Sequence, residues 1–501
     1  MKDLVIFVKT HLTLGLYKSL FKQTAIYGLA TVFPRMMSFL LVPLYVDQLP
    51  KDDYGRVTII FAYMIFFNVI LAYGMETTFF RFYNKESKKE DVVETSMISI
   101  FYTAMLFLAV SLLFRGHLAQ WADIDVQYVT FAIWILVLDA LVIIPFSKLR
   151  AIKKPMRYAV IKIGNVSVNV VLNLFFLLAL PNLAQNENTG FFSEIYIDDF
   201  EIGYIFVSNI IASLLTFVVL SPNYFHVSWH FNSGLWKRMI RYGLPILVAG
   251  IAFAINDQFD KILLGRLLPP NIAEAEVGVY SACYKLGLFM VLFRTAYTLG
   301  IEPFFFSHSE NADAPKTYAT VTKYFVILGS AILLSVIVFA DLIKRIMIPN
   351  PDYWEAMSVV PLIVLANFFL GIYTNLSLWY KLIDKTHIGA YISIIGAVLT
   401  LALNFLLIPK FSYYGSAIAT IVAYGSMMAI SYVLGNRHYP IPYDMKKISA
   451  YLSVSIIFSI ISFYYFRENY FVGIPLLLLF TYFIYYNEKD TLHAIINNRR
   501  S

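Results

Sequence analysis

A lone cysteine, Cys283, forbids an intrachain disulfide anywhere in this chain of 501 residues. Charge is scarce as well. Asp, Glu, Lys and Arg supply 14% of the residues and apolar types 59%, whereas a soluble domain carries about 25% and about 45–50%. That surplus is more than water-soluble cores bury, so lipid is the implied solvent. The sequence has no H-E-x-x-H, no P-loop G-x-x-x-x-G-K-[ST] and no histidine deep in an apolar run. The common metal-hydrolytic and nucleotide chemistries therefore have no support, and no cofactor is expected. No helix-turn-helix, zinc-finger or stacked-aromatic basic module accompanies the formal charge of +7, which excludes nucleic acid as the expected partner. No small-residue cleavage site follows a short apolar core near the start. The first span is expected to act as an uncleaved insertion signal.

Long apolar runs are what the chain has in abundance. Windows of about 20 residues, the length that spans a bilayer, fall at 25–46, 57–79, 93–114, 127–147, 157–180, 201–220, 238–259, 278–300, 322–342, 357–379, 387–408, 413–434, 447–466 and 470–486. Two of these runs end on one phrase. Gly74-Met75-Glu76-Thr77-Thr78-Phe79-Phe80 recurs as Gly300-Ile301-Glu302-Pro303-Phe304-Phe305-Phe306, 226 residues later. Leu20-Phe21-Lys22 with Tyr27-Gly28-Leu29 recurs as Leu235-Trp236-Lys237 with Tyr242-Gly243-Leu244 at offset 215. Lys154, Ala159 and Asn173 match Lys385, Ala390 and Asn404 at offset 231. The expected fold is thus an all-α integral membrane protein of about fourteen transmembrane helices, built as two six-helix lobes plus two C-terminal helices. Its domains read as an N-lobe over 1–220, a cytoplasmic linker over 221–237, a C-lobe over 238–435, and a final pair of spans with a tail over 436–501. Six spans per copy is an even number, so both copies enter from the same side as parallel repeats.

Lys and Arg set the orientation. With the N-terminus inside, cytoplasmic segments outweigh outer loops roughly three to one in these residues. Both ends are expected in the cytoplasm, and the net positive charge reflects contact with anionic headgroups. The longest outer loop, 181–200, holds Glu187, Glu194, Asp198 and Asp199 and no base. Some twenty residues are too few for a catalytic domain.

Ionisable groups inside spans are costly, and they face a cavity or a partner. Four bases qualify: Arg35, Lys162, Lys285 and Arg294. Arg35 stands mid-span beside the kink-forming Pro34, where a polar cavity and a structural ion pair are the two readings. Lys162, Asn165, Asn169 and Asn173 fall within an arc of about 80° on the fifth span. Such a stripe turns inward, lining a cavity or serving as interhelical glue. At offset 231 its counterparts include Ser393, Thr400 and Asn404, so the polarity survives duplication and the charge does not. Lys285 lies near enough to the outer end to snorkel, and Arg294 is in phase to pair with Glu302. Among the acids, Asp139 is deepest. Glu76 and Glu302 are placed as latches near the cytoplasmic ends. Asp257 and Lys261, with Asp260 beside them, have the spacing of a local ion pair. Asp139, Glu76, Glu302 and Asp257 are the candidates for gating or for coupling to H+ or Na+.

The opening, Tyr27-Gly28, Phe33-Pro34-Arg35, Phe39-Leu40, Pro43-Leu44 and Leu49-Pro50-Lys51-Asp52-Asp53-Tyr54-Gly55, resembles that of bacterial polysaccharide transporters. These are the O-antigen and capsule-type flippases of the MATE-like multidrug/oligosaccharidyl-lipid/polysaccharide superfamily. Gly74-Met75-Glu76 running into Phe79-Phe80-Arg81-Phe82 looks like their second span, and the likeness in order and spacing covers nearly the whole chain. It implies two lobes in a V around a central cationic cavity. It also implies transfer of a polyprenyl-diphosphate-linked oligosaccharide from the cytoplasmic to the outer leaflet of the inner membrane by alternating access, with no chemistry on the cargo. Glycan-assembly proteins are the implied partners. Related lipid II flippases carry a Phe-Ser-Arg similar to Phe33-Pro34-Arg35, so Arg35 is the site residue the resemblance supports most. They often have a second arginine six residues on, where this chain has Leu41, which counts against lipid II itself as cargo. Two rivals remain. A membrane polymerase, ligase or acyltransferase has only Asp123-Ile124-Asp125, on the outer side, in its favour. A cation-coupled drug antiporter of the same superfamily would favour acids for its cationic cargo, where here the deepest charge is a base.

Overall fold

The computed structural model describes residues 28–498, apart from 31, 35, 38, 186–189, 226, 309–312 and 384. Among the described residues the chain is helical almost throughout and contains no strand. Hydrocarbon offers no partners to backbone N–H and C=O groups, so a crossing segment must satisfy them within itself. Among the described residues thirteen helices are long and apolar enough to cross a membrane. They are α1 (Gly28–Gln48), α2 (Lys51–Lys85), α3 (Lys89–Leu113), α4 (Val126–Ala151), α5 (Pro155–Ala184), α6 (Glu201–Phe225), α7 (Ser233–Leu267), α8 (Pro270–Leu299), α9 (Ala314–Val338), α10 (Pro351–Leu382), α11 (Thr386–His438), α12 (Met445–Tyr465) and α13 (Tyr470–Lys489).

One of these thirteen, α11, is long enough for two crossings. At 53 residues α11 would extend about 80 Å if straight, against a hydrocarbon core of about 30 Å. Ser412 breaks it, with φ 48° and ψ −135°. Across that break Ser416 donates from Oγ to Asn404 Oδ1 at 2.9 Å, so the second arm returns along the first. The expected spans at 387–408 and 413–434 are these two arms. The all-α, multi-span fold read from the sequence is the one observed.

The helices pack as two compact units. One holds the residues up to Leu49 together with Ile59–Ala254; the other holds Pro50–Thr58 with Ile255 onward. In the first unit, α4 packs on α6 around Phe146, Leu149 and Leu220, and Tyr224 donates its hydroxyl to the Leu141 carbonyl at 2.7 Å. Gly74 interrupts α2 with φ 70°, a conformation that costs a side-chain-bearing residue dearly. A Cβ there would also stand 2.6 Å from the Gly243 carbonyl oxygen of α7. Two glycines noticed in the duplicated phrases are thus a single backbone contact.

In the second unit the start of α2 meets α8 equally closely. A Cβ on Gly278 would lie 2.0 Å from the Lys51 carbonyl oxygen, and Arg56 Nε reaches Glu274 Oε2 at 2.7 Å beside it. Trp379, Tyr380, Tyr424 and Met427 form the core between α10 and α11. The last two spans are tied down at both ends. At one, Glu488 of α13, 2% exposed, takes Lys323 of α9 at 2.5 Å and Lys447 and Tyr451 of α12 at 3.0 and 2.9 Å. At the other, Asp341 accepts from Lys344 and from Arg467 in a forked pair at 3.0 Å. Burial by itself would raise the Asp341 carboxyl, but the hydrogen bonds and charges of Arg467 and Lys344 hold it below the usual carboxylate range.

Candidate functional site

Arg35, and the side chain of Glu302, lie outside the described residues. The remaining expected groups are divided between the two units.

In the first unit the stripe on α5 is only partly committed. Asn165 donates to Thr216 Oγ1 of α6 at 2.9 Å. Asn173, fully buried, accepts from the Tyr45 hydroxyl of α1 at 2.9 Å and donates to the Asn169 carbonyl at 2.8 Å. Both therefore bond to neighbouring helices, as the glue reading expects. Asn169 is half-buried and spends its Oδ1 on Asn173 at 3.2 Å. Lys162 sits over the Phe146 ring, 4.4 Å from its centroid, with no ion pair within 4 Å among the described residues. Asp139, one helix away on α4, is held by Ser213 Oγ at 2.8 Å and acts on Lys162 through its field. Glu76 is exposed and bound to Arg150 at 2.6 Å.

The second unit repeats the asparagine arrangement. Asn404, also fully buried, donates to the Thr400 carbonyl at 2.7 Å and accepts from Ser416, as Asn173 does from Tyr45. Each unit thus holds an asparagine that satisfies its own helix with one end and a hydroxyl with the other. Sequence reasoning passed over Asn256 of α7, which joins three segments. It accepts from Thr400 Oγ1 at 2.8 Å, donates to the Ser393 carbonyl at 3.1 Å, and offers its own carbonyl to the Tyr424 hydroxyl at 3.1 Å. A polar residue at the end of an apolar window, directly before Asp257, was the available signal.

Asp257 and Lys261 do not form the expected i,i+4 ion pair. Lys261 Nζ instead binds Asp260 Oδ1 at 2.8 Å and takes only the Asp257 carbonyl, at 3.3 Å. Tyr280 of α8 fixes Asp260 by donating to its Oδ2 at 2.9 Å, whereas the Asp257 carboxylate is occupied by Gln258. A partner helix decided the pairing.

Lys285 and Arg294, both on α8, contrast with Lys261. Lys285 opens a 3-10 turn, Lys285–Gly287, within α8, and has no hydrogen-bond or ion-pair partner among the described residues. Arg294 has its Nη1 buried with no hydrogen-bond partner among them. Buried cations elsewhere in this unit, Lys261, Lys323 and Lys344, each have a carboxylate. No group of His, Cys, Asp or Glu suited to a metal ion occurs among the described residues.

The fold is shared with known transporters. A lipid II flippase, MurJ, in an inward-closed conformation matches with a TM-score of 0.69 at 15% identity, covering 92% of this chain and 99% of that one. An inward-facing multidrug resistance MATE family transporter of the MOP superfamily matches with 0.61 at 12% identity, over 86% and 96%. An uncharacterized membrane protein of Methanocaldococcus jannaschii is 22% identical over 422 residues, 77% of this chain and 78% of that protein. Lsg locus putative protein 1 of Haemophilus influenzae is 21% identical over 292 residues, 57% and 66% of the two chains. This is a multi-pass membrane protein with the fold of the multidrug/oligosaccharidyl-lipid/polysaccharide flippases and transporters. The family model for polysaccharide biosynthesis protein matches residues 20–306, more than half of the chain, and the MatE model matches 245–406. The chain belongs to the polysaccharide biosynthesis protein family, as the opening motifs led us to expect.

Proposed function

We propose that this transporter moves a polyprenyl-diphosphate-linked oligosaccharide, a precursor of lipopolysaccharide, capsule or exopolysaccharide, from the inner to the outer leaflet of the cytoplasmic membrane. It does so by alternating access and without chemistry on the cargo, and both its termini are cytoplasmic. The observation that carries the reading is the set of cations with no carboxylate partner among the described residues, Lys162, Lys285 and Arg294, in spans where Lys261 and Lys323 are paired. A cation left unpaired in a bilayer is expensive, and a diphosphate supplies the missing charge with acceptor oxygens suited to Lys and Arg. Arg35 joins them in the proposal. Asn169 and, in the second unit, Thr400 and Asn404 extend the polar surface on which hydroxyl-rich sugars would bind. Asp139, acting on Lys162 from beyond ion-pair reach, is the acid assigned to coupling by H+ or Na+, with Asp257 its counterpart; Glu76 and Glu302 serve as gates.

The MatE match and these acids favour a second reading, a cation-coupled multidrug antiporter. Proteoliposomes separate the two. The first reading expects a fluorescent polyprenyl-diphosphate disaccharide to become accessible on the opposite face and no pumping of ethidium by an imposed H+ or Na+ gradient. Ethidium pumping without lipid transfer would overturn it.

A further inference from the structure

Within the first unit, α2, α3 and α4 and the short helix Arg115–Ala122 enclose a cavity of ≈ 110 Å³ that is almost wholly apolar. Phe67, Phe107, Leu118, Trp121, Ala132 and Leu136 are among the residues of its wall, and the rings of Tyr63 and Trp121 stand 5.8 Å apart at its side. Its size is close to that of apolar protein cavities of about 150 Å³ that stay dry and take up benzene. Water is a poor occupant here, because a buried water needs two to four polar partners. An empty void forfeits dispersion contacts around its whole lining. Hydrocarbon chain is both the best filling and the medium around these spans.

The head of such a molecule also has a place. Arg115 opens the short helix, is exposed, and has no carboxylate partner among the described residues. By helical phase it lies within about 60° of Leu118 and about 20° of Ala122, both of which line the cavity. A guanidinium one turn from an apolar opening matches a phosphate diester attached to an alkyl chain. Trp121 on the same helix is the amphipathic ring common where hydrocarbon meets headgroups. We infer that this cavity holds one acyl chain of a bilayer phospholipid, with its phosphate on Arg115, as a bound lipid distinct from the transported cargo.

The test uses the full-length protein in vesicles of phosphatidylethanolamine and phosphatidylglycerol, with dibromostearoyl phosphatidylglycerol added in increasing mole fraction. The signal is the Trp121-dependent fluorescence, wild type minus Trp121→Phe. Specific occupancy gives saturable quenching at a few mole percent of brominated lipid. Ala132→Phe, or Ala122→Leu from the opposite wall should the first variant fold poorly, reduces it to a linear, non-saturating dependence. Arg115→Gln raises the half-quenching fraction about tenfold, the loss expected for a charge-assisted contact. Linear quenching in the wild type, or unchanged saturation in both filled variants, would show contact with surrounding lipid only and overturn the inference. Displacement by equimolar unbrominated polyprenyl phosphate would assign the cavity to the cargo's tail and overturn it equally.

Discussion

Lys285 and Lys261 stand 24 positions apart in one unit, and replacing each with methionine is expected to have opposite effects on stability. Lys261 and Asp260 have side chains only 8% and 3% exposed. Lys261→Met leaves the Asp260 carboxylate buried with no countercharge, holding only the Tyr280 hydroxyl and the backbone N–H of residue 261, and stranding a buried charge costs about 3–5 kcal/mol. Lys285 has no such partner to strand among the described residues. A lysine at the centre of a span costs about 2.5–3.5 kcal/mol, and allowing for its half-buried position, Lys285→Met should gain about 1–2 kcal/mol. The two variants should therefore differ by about 4 kcal/mol or more. Thermal midpoints in one lipid nanodisc give the order: Lys285→Met at or above wild type, Lys261→Met well below. The double variant Asp260→Leu/Lys261→Met should recover much of the loss, because well-packed apolar groups often replace a buried ion pair without penalty. Lys285→Met should nevertheless fail to transfer lipid-linked glycan. If it melts as far below wild type as Lys261→Met, Lys285 is a structural cation and the reasoning from missing partners is wrong.

Three further outcomes can be checked separately. Cysteine at Asn169 in a Cys283→Ser background should react with a water-soluble thiol reagent; protection in every conformation would make the whole stripe glue. Asp341, with its folded carboxyl held below the ordinary 3.8, contributes stability that is complete above that value and lost as pH falls through the depressed one. Asp341→Asn should lower the midpoint at neutral pH and remove that acid-side loss, and an unchanged acid limb would reject the assignment. Gly278→Ala places a methyl where the Lys51 carbonyl oxygen is 2.0 Å away, so it should destabilise by roughly 1–3 kcal/mol, the usual cost of overpacking, read as a lower thermal midpoint.

Much of this fold was legible because a bilayer restricts the choices. Apolar windows of fixed length located the helices long enough to cross it. The α11 break was legible as a gap between windows, though the positive φ of Ser412 was not, since serine carries no signal for it. Side-chain partners were harder to read. Tyr45 and Asn173 are 128 residues apart, so helical phase placed Asn173 on an inward face without naming what it meets. Phase alone also paired Lys261 with Asp257, because the hydroxyl of Tyr280 that orients Asp260 comes from another helix. Glu488 was missed for the same reason: its three partners lie on two other spans, and in the sequence it is one acid in a short polar run.

One measurement bears on the core claim most directly: the rate at which a fluorescent polyprenyl-diphosphate disaccharide crosses proteoliposomes carrying Arg35→Ala, Lys162→Gln or Arg294→Gln, each verified as folded. The account expects transfer with the wild type and a loss of tenfold or more in each variant, lessening for a cargo analogue that lacks the diphosphate charge. Wild-type rates in all three would mean these cations do not receive an anionic head, and the proposed mechanism would fail with them.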